Sequence, residues 1–157
     1  MLLEVRSVSG YRPADKEEVL LAAARYAVMD APREEATSTK RAVEALRRYL
    51  GSLDREMFVA MWLDSRNRVI DFDVISTGTV DSATVPVREV ARKAIDRNAV
   101  GCILAHNHPS GAVDPSPADE AITRRINSAL ALFEIRVIDH FVLGQEKAFS
   151  FAEHGLL

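Results

Sequence analysis

Apolar positions recur at helical spacing in the first third of the chain, then give way to continuous apolar runs. Between Asp15 and Met29, Val19, Leu20, Ala23, Ala24, Tyr26 and Ala27 fall near one helical stripe, which predicts an amphipathic helix. Residues 1–14 carry no such pattern, and Gly10 and Pro13 interrupt them, so they read as irregular. DAPREEATST (30–39) is polar and marks the best boundary, dividing an N-terminal extension with one helix (1–37) from a main domain (38–157). A second helix is expected to begin with Ser38 or Thr39 as N-cap. It turns Ala42, Ala45, Leu46, Tyr49 and Leu50 inward and stops at Gly51.

From Glu56 the period changes. MFVAMWLD (57–64) and VIDFDVIST (69–77), separated by the turn-forming SRNR, predict a β-hairpin, and Gly78–Thr84 predicts a loop. Val87, Val90, Ala91, Ala94 and Ile95 then form a helical stripe over 87–98. VGCILA (100–105) is apolar without alternation, as in a strand covered on both faces. A helix over 117–133 follows, with Ile122, Ile126, Leu130 and Phe133 on one face. A strand at 135–144 and a short last one at 148–152 complete the chain. Alternating strands and helices of this kind predict an α/β fold with a mixed sheet between helical layers.

Composition changes this picture little. At 157 residues, 48% hydrophobic and 27% charged, the chain fits one globular domain with a proper core. A net charge of −3 argues against a nucleic-acid binder, and Lys40-Arg41 with Arg47-Arg48 is a small basic stretch expected on a solvated helix face. DNA is therefore a partner that neither motif nor charge supports. The single cysteine, Cys102, excludes an intrachain disulfide and fits a reducing compartment. With no signal-type or membrane-spanning run, the expected location is the cytoplasm.

The chemistry concentrates in AHNHPSGAVDPSPADEA (105–121), which holds two of the four histidines. His106 and His108 leave a buried strand on the same side, because side chains alternate along an extended chain, and two such imidazoles can share one Zn²⁺. Ser116-Pro117-Ala118-Asp119 opens the next helix, and Asp119 can supply a third ligand, leaving the fourth position for water as in catalytic zinc sites. The same four residues also read as an ordinary capping box with Pro at the first helical position. The two readings are compatible, since a capped first turn is rigidly oriented. His140 reads as a packed histidine beside the site rather than a fourth ligand. His154 reads as exposed, and Cys102 as a buried thiol roughly 13 Å along the strand from His106. Asn107 is expected to point away from the metal.

His106-Asn107-His108-Pro109 followed by Ser116-x-x-Asp119 resembles the JAMM motif of MPN-type metallohydrolases. HNHPSG (106–111), Thr123, Asp139-His140 and the ending SFAEHGLL (150–157) are similar to the RadC-like branch of that family. Upstream, Glu56-x-Phe58, Leu63-Asp64, Gly78-Thr79 and Arg88-Glu89-Val90 fit as well, so the resemblance spans roughly residues 41–157. Val87, where the family pattern has a proline, is a departure at a helix start.

The resemblance implies a cytidine-deaminase-like three-layer sandwich and a zinc-dependent hydrolase acting on a peptide or isopeptide bond of a protein or peptide substrate. It implies His106, His108 and Asp119 as zinc ligands, Glu56 as the general base, and Ser116 as a hydrogen-bond donor to the oxyanion or the water. From spacing alone Glu56 is indistinguishable from a solvated residue at a strand start. RadC-like proteins carry a DNA-repair name, so the alternative is a repair-associated or protein-interaction module without hydrolytic activity.

Overall fold

A computed structural model describes residues 4–30, 35–78 and 85–157 of the chain. Its centre is a five-stranded sheet in the order β4-β3-β5-β6-β7, built from β3 (Met57–Leu63), β4 (Val69–Thr77), β5 (Gly101–Asn107), β6 (Arg136–Leu143) and β7 (Ala148–Ser150). β5 and β6 are parallel, joined through helix α4 (Pro117–Ala131), and the other neighbouring pairs are antiparallel. The sheet is thus mixed, as the order of elements predicts.

Alternation along the central strands sorts the core into two layers. Met57, Val59, Met61 and Leu63 of β3, with Ile103 and Ala105 of β5, pack against helices α1 (Lys16–Met29) and α2 (Glu35–Leu50). Phe58, Ala60 and Trp62, with Cys102 and Leu104, pack instead against α3 (Val87–Asp96) and α4. Every residue of β3 and β5 is buried, which is why neither strand alternates between apolar and polar. Helices on both faces of one sheet make a three-layer α/β sandwich of JAB/MPN type. No helix among the described residues is long and apolar enough to cross a membrane.

Three expectations are corrected. Residues 1–14 are not irregular throughout: β1 (Glu4–Ser7) and β2 (Gly10–Pro13) form an antiparallel hairpin around a Val8-Ser9 turn, with Gly10 at φ +125° leading out of it. None of its residues is buried, so it leaves no hydrophobic periodicity to read. Second, α2 begins at Glu35, ahead of Ser38 and Thr39, because the polar segment continues the helix rather than linking to it. Third, α4 ends at Ala131 and the chain reverses at Glu134 (φ +58°), leaving Phe133 half-exposed instead of on the core face. The expected loop at Gly78–Thr84 lies outside the described residues beyond Gly78.

Candidate metal centre

β5 delivers His106 at the edge of the sheet, where its backbone pairs with Phe58 on one side and Val142 on the other. His106 follows Cys102 and Leu104 on the α4 side of the sheet, and His108, one residue past the strand, returns toward it. α4 begins beneath them. Ser116 is its N-cap: the Ser116 Oγ accepts from Asp119 N at 3.1 Å, and Asp119 Oδ2 accepts from Ser116 N at 2.7 Å. That reciprocal pair fixes the first turn and with it the Asp119 carboxylate, so the capping box and the candidate ligand are one structure. The Ser116 hydroxyl proton is directed at Asp119 Oδ2, 2.7 Å away.

Three side chains converge. His106 Nε2 and His108 Nε2 are 3.1 Å apart; Asp119 Oδ1 lies 3.3 Å from the first, and Asp119 Oδ2 lies 3.4 Å from the second. Among the described residues these three side chains form a group whose ligand atoms all lie within 4.8 Å of one another. Ligands about 2.0–2.1 Å from a tetrahedral zinc stand about 3.3 Å apart, close to the separation of the two imidazole nitrogens and to that of each from its nearer Asp119 oxygen. The Glu56 carboxylate, immediately before β3, comes within 3.8 Å of His108 Nε2.

Hydrogen-bond direction leaves these side chains able to receive a cation. His108 Nδ1 sits 3.0 Å from the Ala112 carbonyl, which can only accept, so Nδ1 carries the proton and Nε2 of the neutral ring is bare. Behind His106 runs a longer chain of the same kind. The Thr123 hydroxyl donates to the Asp119 carbonyl at 2.5 Å and therefore accepts from His140 Nδ1 at 2.6 Å. His140 Nε2 is then an acceptor, and it takes the His106 Nδ1 proton at 2.8 Å. His106 Nε2 is left bare as well. Two lone pairs and a carboxylate thus face one another and repel unless a metal ion or a proton lies between them.

Their surroundings hold these groups in place. His106 and His140 are fully buried and Asp119 is 1% exposed. Phe58 stacks on His106 with ring centroids 6.0 Å apart, and Phe151 stacks on His140 at 4.6 Å. Asp139 accepts from its neighbour's N–H, from Ala152 N and from Ser150 Oγ, tying the C-terminal turn to β6 beside His140. Removing imidazoles and a carboxylate from water costs several kcal/mol. Adjacent Leu104, Ile122 and Ile126, all fully buried, each contribute about 1.5–3 kcal/mol in the opposite sense.

Burial acts to raise the Asp119 carboxyl, but the hydrogen bonds that His106 and His108 form with it when a proton lies between them, together with the Ser116 N–H, outweigh it. Asp119 is held far below the ordinary carboxylate range. His108 is raised, first by its hydrogen bond with Asp119. His140 is pushed well below the usual histidine range by burial and by His106, which keeps it neutral as the relay requires.

A pH dependence follows. In the metal-free protein, protonated His108 pairs with Asp119, and because its folded pKa is raised this stabilisation is fully present below the ordinary histidine value of about 6.5. It is lost as pH rises through the raised value. The melting temperature of the metal-free protein is expected to fall across that window, while zinc affinity rises as the competing proton leaves. Melting curves at stepped pH check this, and a metal-free protein that becomes more stable over the same window contradicts it.

The structure brings Glu56, His106, His108, Ser116 and Asp119 to one place, although Glu56 is distant in sequence. His154 is exposed and stacks on Phe149. Cys102 is fully buried, and burial pushes its thiol up to about 12. Sequence reasoning assigned no role to Thr123. Its signal was the interval of one helical turn from Asp119, which places its hydroxyl on the Asp119 carbonyl. Replacing it tests the relay: Thr123→Val removes the His140 acceptor while keeping side-chain shape. Loss of such an outer partner is expected to weaken zinc binding about 10–100-fold in a competition titration. Unchanged affinity contradicts the relay.

The site lies inside a segment of known kinship. Residues 36–156 match the family model described as the RadC-like JAB domain. The chain belongs to the RadC-like JAB-domain family. A UPF0758 protein of Leptothrix cholodnii is 43% identical over 157 residues, covering 98% of this chain and 71% of the relative. A UPF0758 protein of Chromohalobacter salexigens is 53% identical over 116 residues, covering 71% of this chain and 52% of the relative. For the UPF0758 protein of Thioalkalivibrio sulfidiphilus the identity is 56% over 102 residues, 65% of this chain and 45% of the relative. The chain therefore spans between about half and seven-tenths of the length of these relatives. In this RadC-like chain the cluster of two histidines and an aspartate is a possible metal site.

Proposed function

We propose that this chain is a zinc-dependent hydrolase of JAMM type that cleaves a peptide or isopeptide bond in a protein or peptide substrate. The observation that carries this reading is the meeting of two imidazole nitrogens and the Asp119 carboxylate within 4.8 Å of one another, with the Glu56 carboxylate alongside. His106 Nε2, His108 Nε2 and Asp119 hold the ion. Two imidazoles and one carboxylate suit zinc, and three protein ligands leave one position open. Zinc held there supplies a water of lowered pKa, near 7, and polarises a carbonyl oxygen.

Glu56 accepts the proton of the attacking water as the new C–O bond forms. It returns that proton to the amide nitrogen as the C–N bond breaks, giving a carboxylic acid and an amine, and the acid's proton, which was the water's second one, passes to the amine to leave a carboxylate and an ammonium. Its partial exposure leaves it open to a substrate, whereas Asp119 is sealed beneath the histidines. Ser116 keeps its cap through an oxygen lone pair, and rotation of its hydroxyl turns the proton from Asp119 Oδ2 toward the oxyanion developing on the substrate carbonyl.

The test is exposure of the zinc-loaded chain to a mixed peptide library and to lysine-linked isopeptides, with new N-termini and released amines counted by mass spectrometry. Cleavage that stops with a chelator and returns with zinc supports the reading. A zinc-loaded chain that cleaves neither substrate class contradicts it.

A further inference from the structure

Asn107, between the two candidate ligands, is fully buried, and its amide is spent on the segment that carries Glu56. Asn107 Oδ1 accepts from Met57 N at 2.8 Å, and Asn107 Nδ2 donates to the carbonyls of Arg55 at 3.0 Å and Leu53 at 3.4 Å. The backbone pairing of β5 with β3 reaches only as far as His106 and Phe58. Beyond that point the Asn107 amide presents a C=O and an N–H to the neighbouring chain just as a peptide group would. It grips the peptide groups on both sides of Glu56, and Gly78 N holds the Glu56 carbonyl between them at 2.8 Å. Glu56 is thereby fixed at three consecutive backbone positions.

We infer that Asn107 is a positioning residue that registers Glu56 over the His106–His108–Asp119 centre. The inference rests on the proposed reading of those residues. In the triplet His106-Asn107-His108, alternation sends the outer side chains to the metal position and the middle one to the opposite face, where the Glu56 segment lies. One strand end therefore sets both the ligands and the distance of the base from them. A residue without this amide frees Glu56 to drift, and a misplacement of about 1 Å can cost about 100-fold in rate.

The test uses Co²⁺ in place of zinc and follows the visible spectrum against pH in wild type, Glu56→Gln, Asn107→Ser and the double variant. Serine is too short to span the three contacts, and the exposed neighbours Asp54 and Arg55 let water reach the released groups. The expected result is one Co²⁺ per chain throughout, a spectral transition displaced by Glu56→Gln, and a displacement in the same direction by Asn107→Ser. The double variant moves no further than Glu56→Gln. Asn107→Ser coinciding with wild type while Glu56→Gln is displaced overturns the inference alone. Glu56→Gln coinciding with wild type removes Glu56 from the metal and overturns the proposed base as well. Loss of Co²⁺ from Asn107→Ser makes Asn107 a support of the ligands instead and also overturns it. Hydrogen exchange on the intact protein covers the case of an unfolded variant. The Met57 amide is expected to exchange as slowly as Val59, and exchange at the rate of an open loop overturns the anchor.

Discussion

Asp119→Ala is expected to reduce bound zinc from about one equivalent per chain to a trace, and His106→Ala to do the same. Each removes one of three donors outright, so the loss exceeds the 10–100-fold that an outer partner such as Thr123 commands. Asp119 also belongs to the capping box of α4, so a fold-preserving variant is needed beside it. Asp119→Asn keeps a side-chain oxygen for the Ser116 N–H while removing the charge. Its helix is expected to survive and its zinc affinity to fall. Elemental analysis after dialysis, paired with circular dichroism, separates the two effects. Zinc retained at one equivalent in both Asp119→Ala and His106→Ala contradicts the ligand assignment.

Glu56→Gln is expected to do the opposite: it keeps the metal and loses turnover. Glutamine has nearly the same shape and still reaches toward His108, but it cannot take up a proton and hand it on. General acid–base catalysis contributes about 10²–10⁴-fold, and a loss of that order in kcat is expected, with KM little changed. The measurement is steady-state cleavage of whichever amide substrate the library experiment yields. A variant as active as wild type excludes Glu56 as the base while leaving the zinc ligands untouched.

The legibility of this site in the sequence follows chain distance. His106, His108 and Asp119 come from a strand end and the next helix start, so a short-range pattern contains all three, and the local geometry of a capped helix supplies the rest. Glu56 enters through the pairing of β3 with β5, in which Phe58 stands opposite His106. No spacing rule encodes that register, and only the family resemblance singled the residue out. Asn107 was expected to point away from the metal. That it grips the Glu56 segment depends on the same register. The two buried central strands were readable from their continuous apolar runs. The N-terminal hairpin was not, because a pair of four-residue strands with no buried residue has no core face to imprint on the sequence.

The relay from Thr123 through His140 to His106 departs from the commonest way of orienting a metal-binding histidine, which uses a carboxylate or a backbone carbonyl directly. Here a second imidazole is interposed, and it works only while neutral. Burial between Phe58 and Phe151 keeps it so. The arrangement leaves Asp119 as the negative group among the three candidate ligands.

His106, His108 and Asp119 are expected to hold one metal ion beside Glu56. Crystals of the zinc-loaded protein, measured on both sides of the zinc absorption edge, test it most directly. One anomalous peak is expected, bonded to His106 Nε2, His108 Nε2 and an Asp119 oxygen, with Glu56 facing the remaining position. A peak elsewhere in the molecule, or none between these three side chains at full zinc loading, contradicts it.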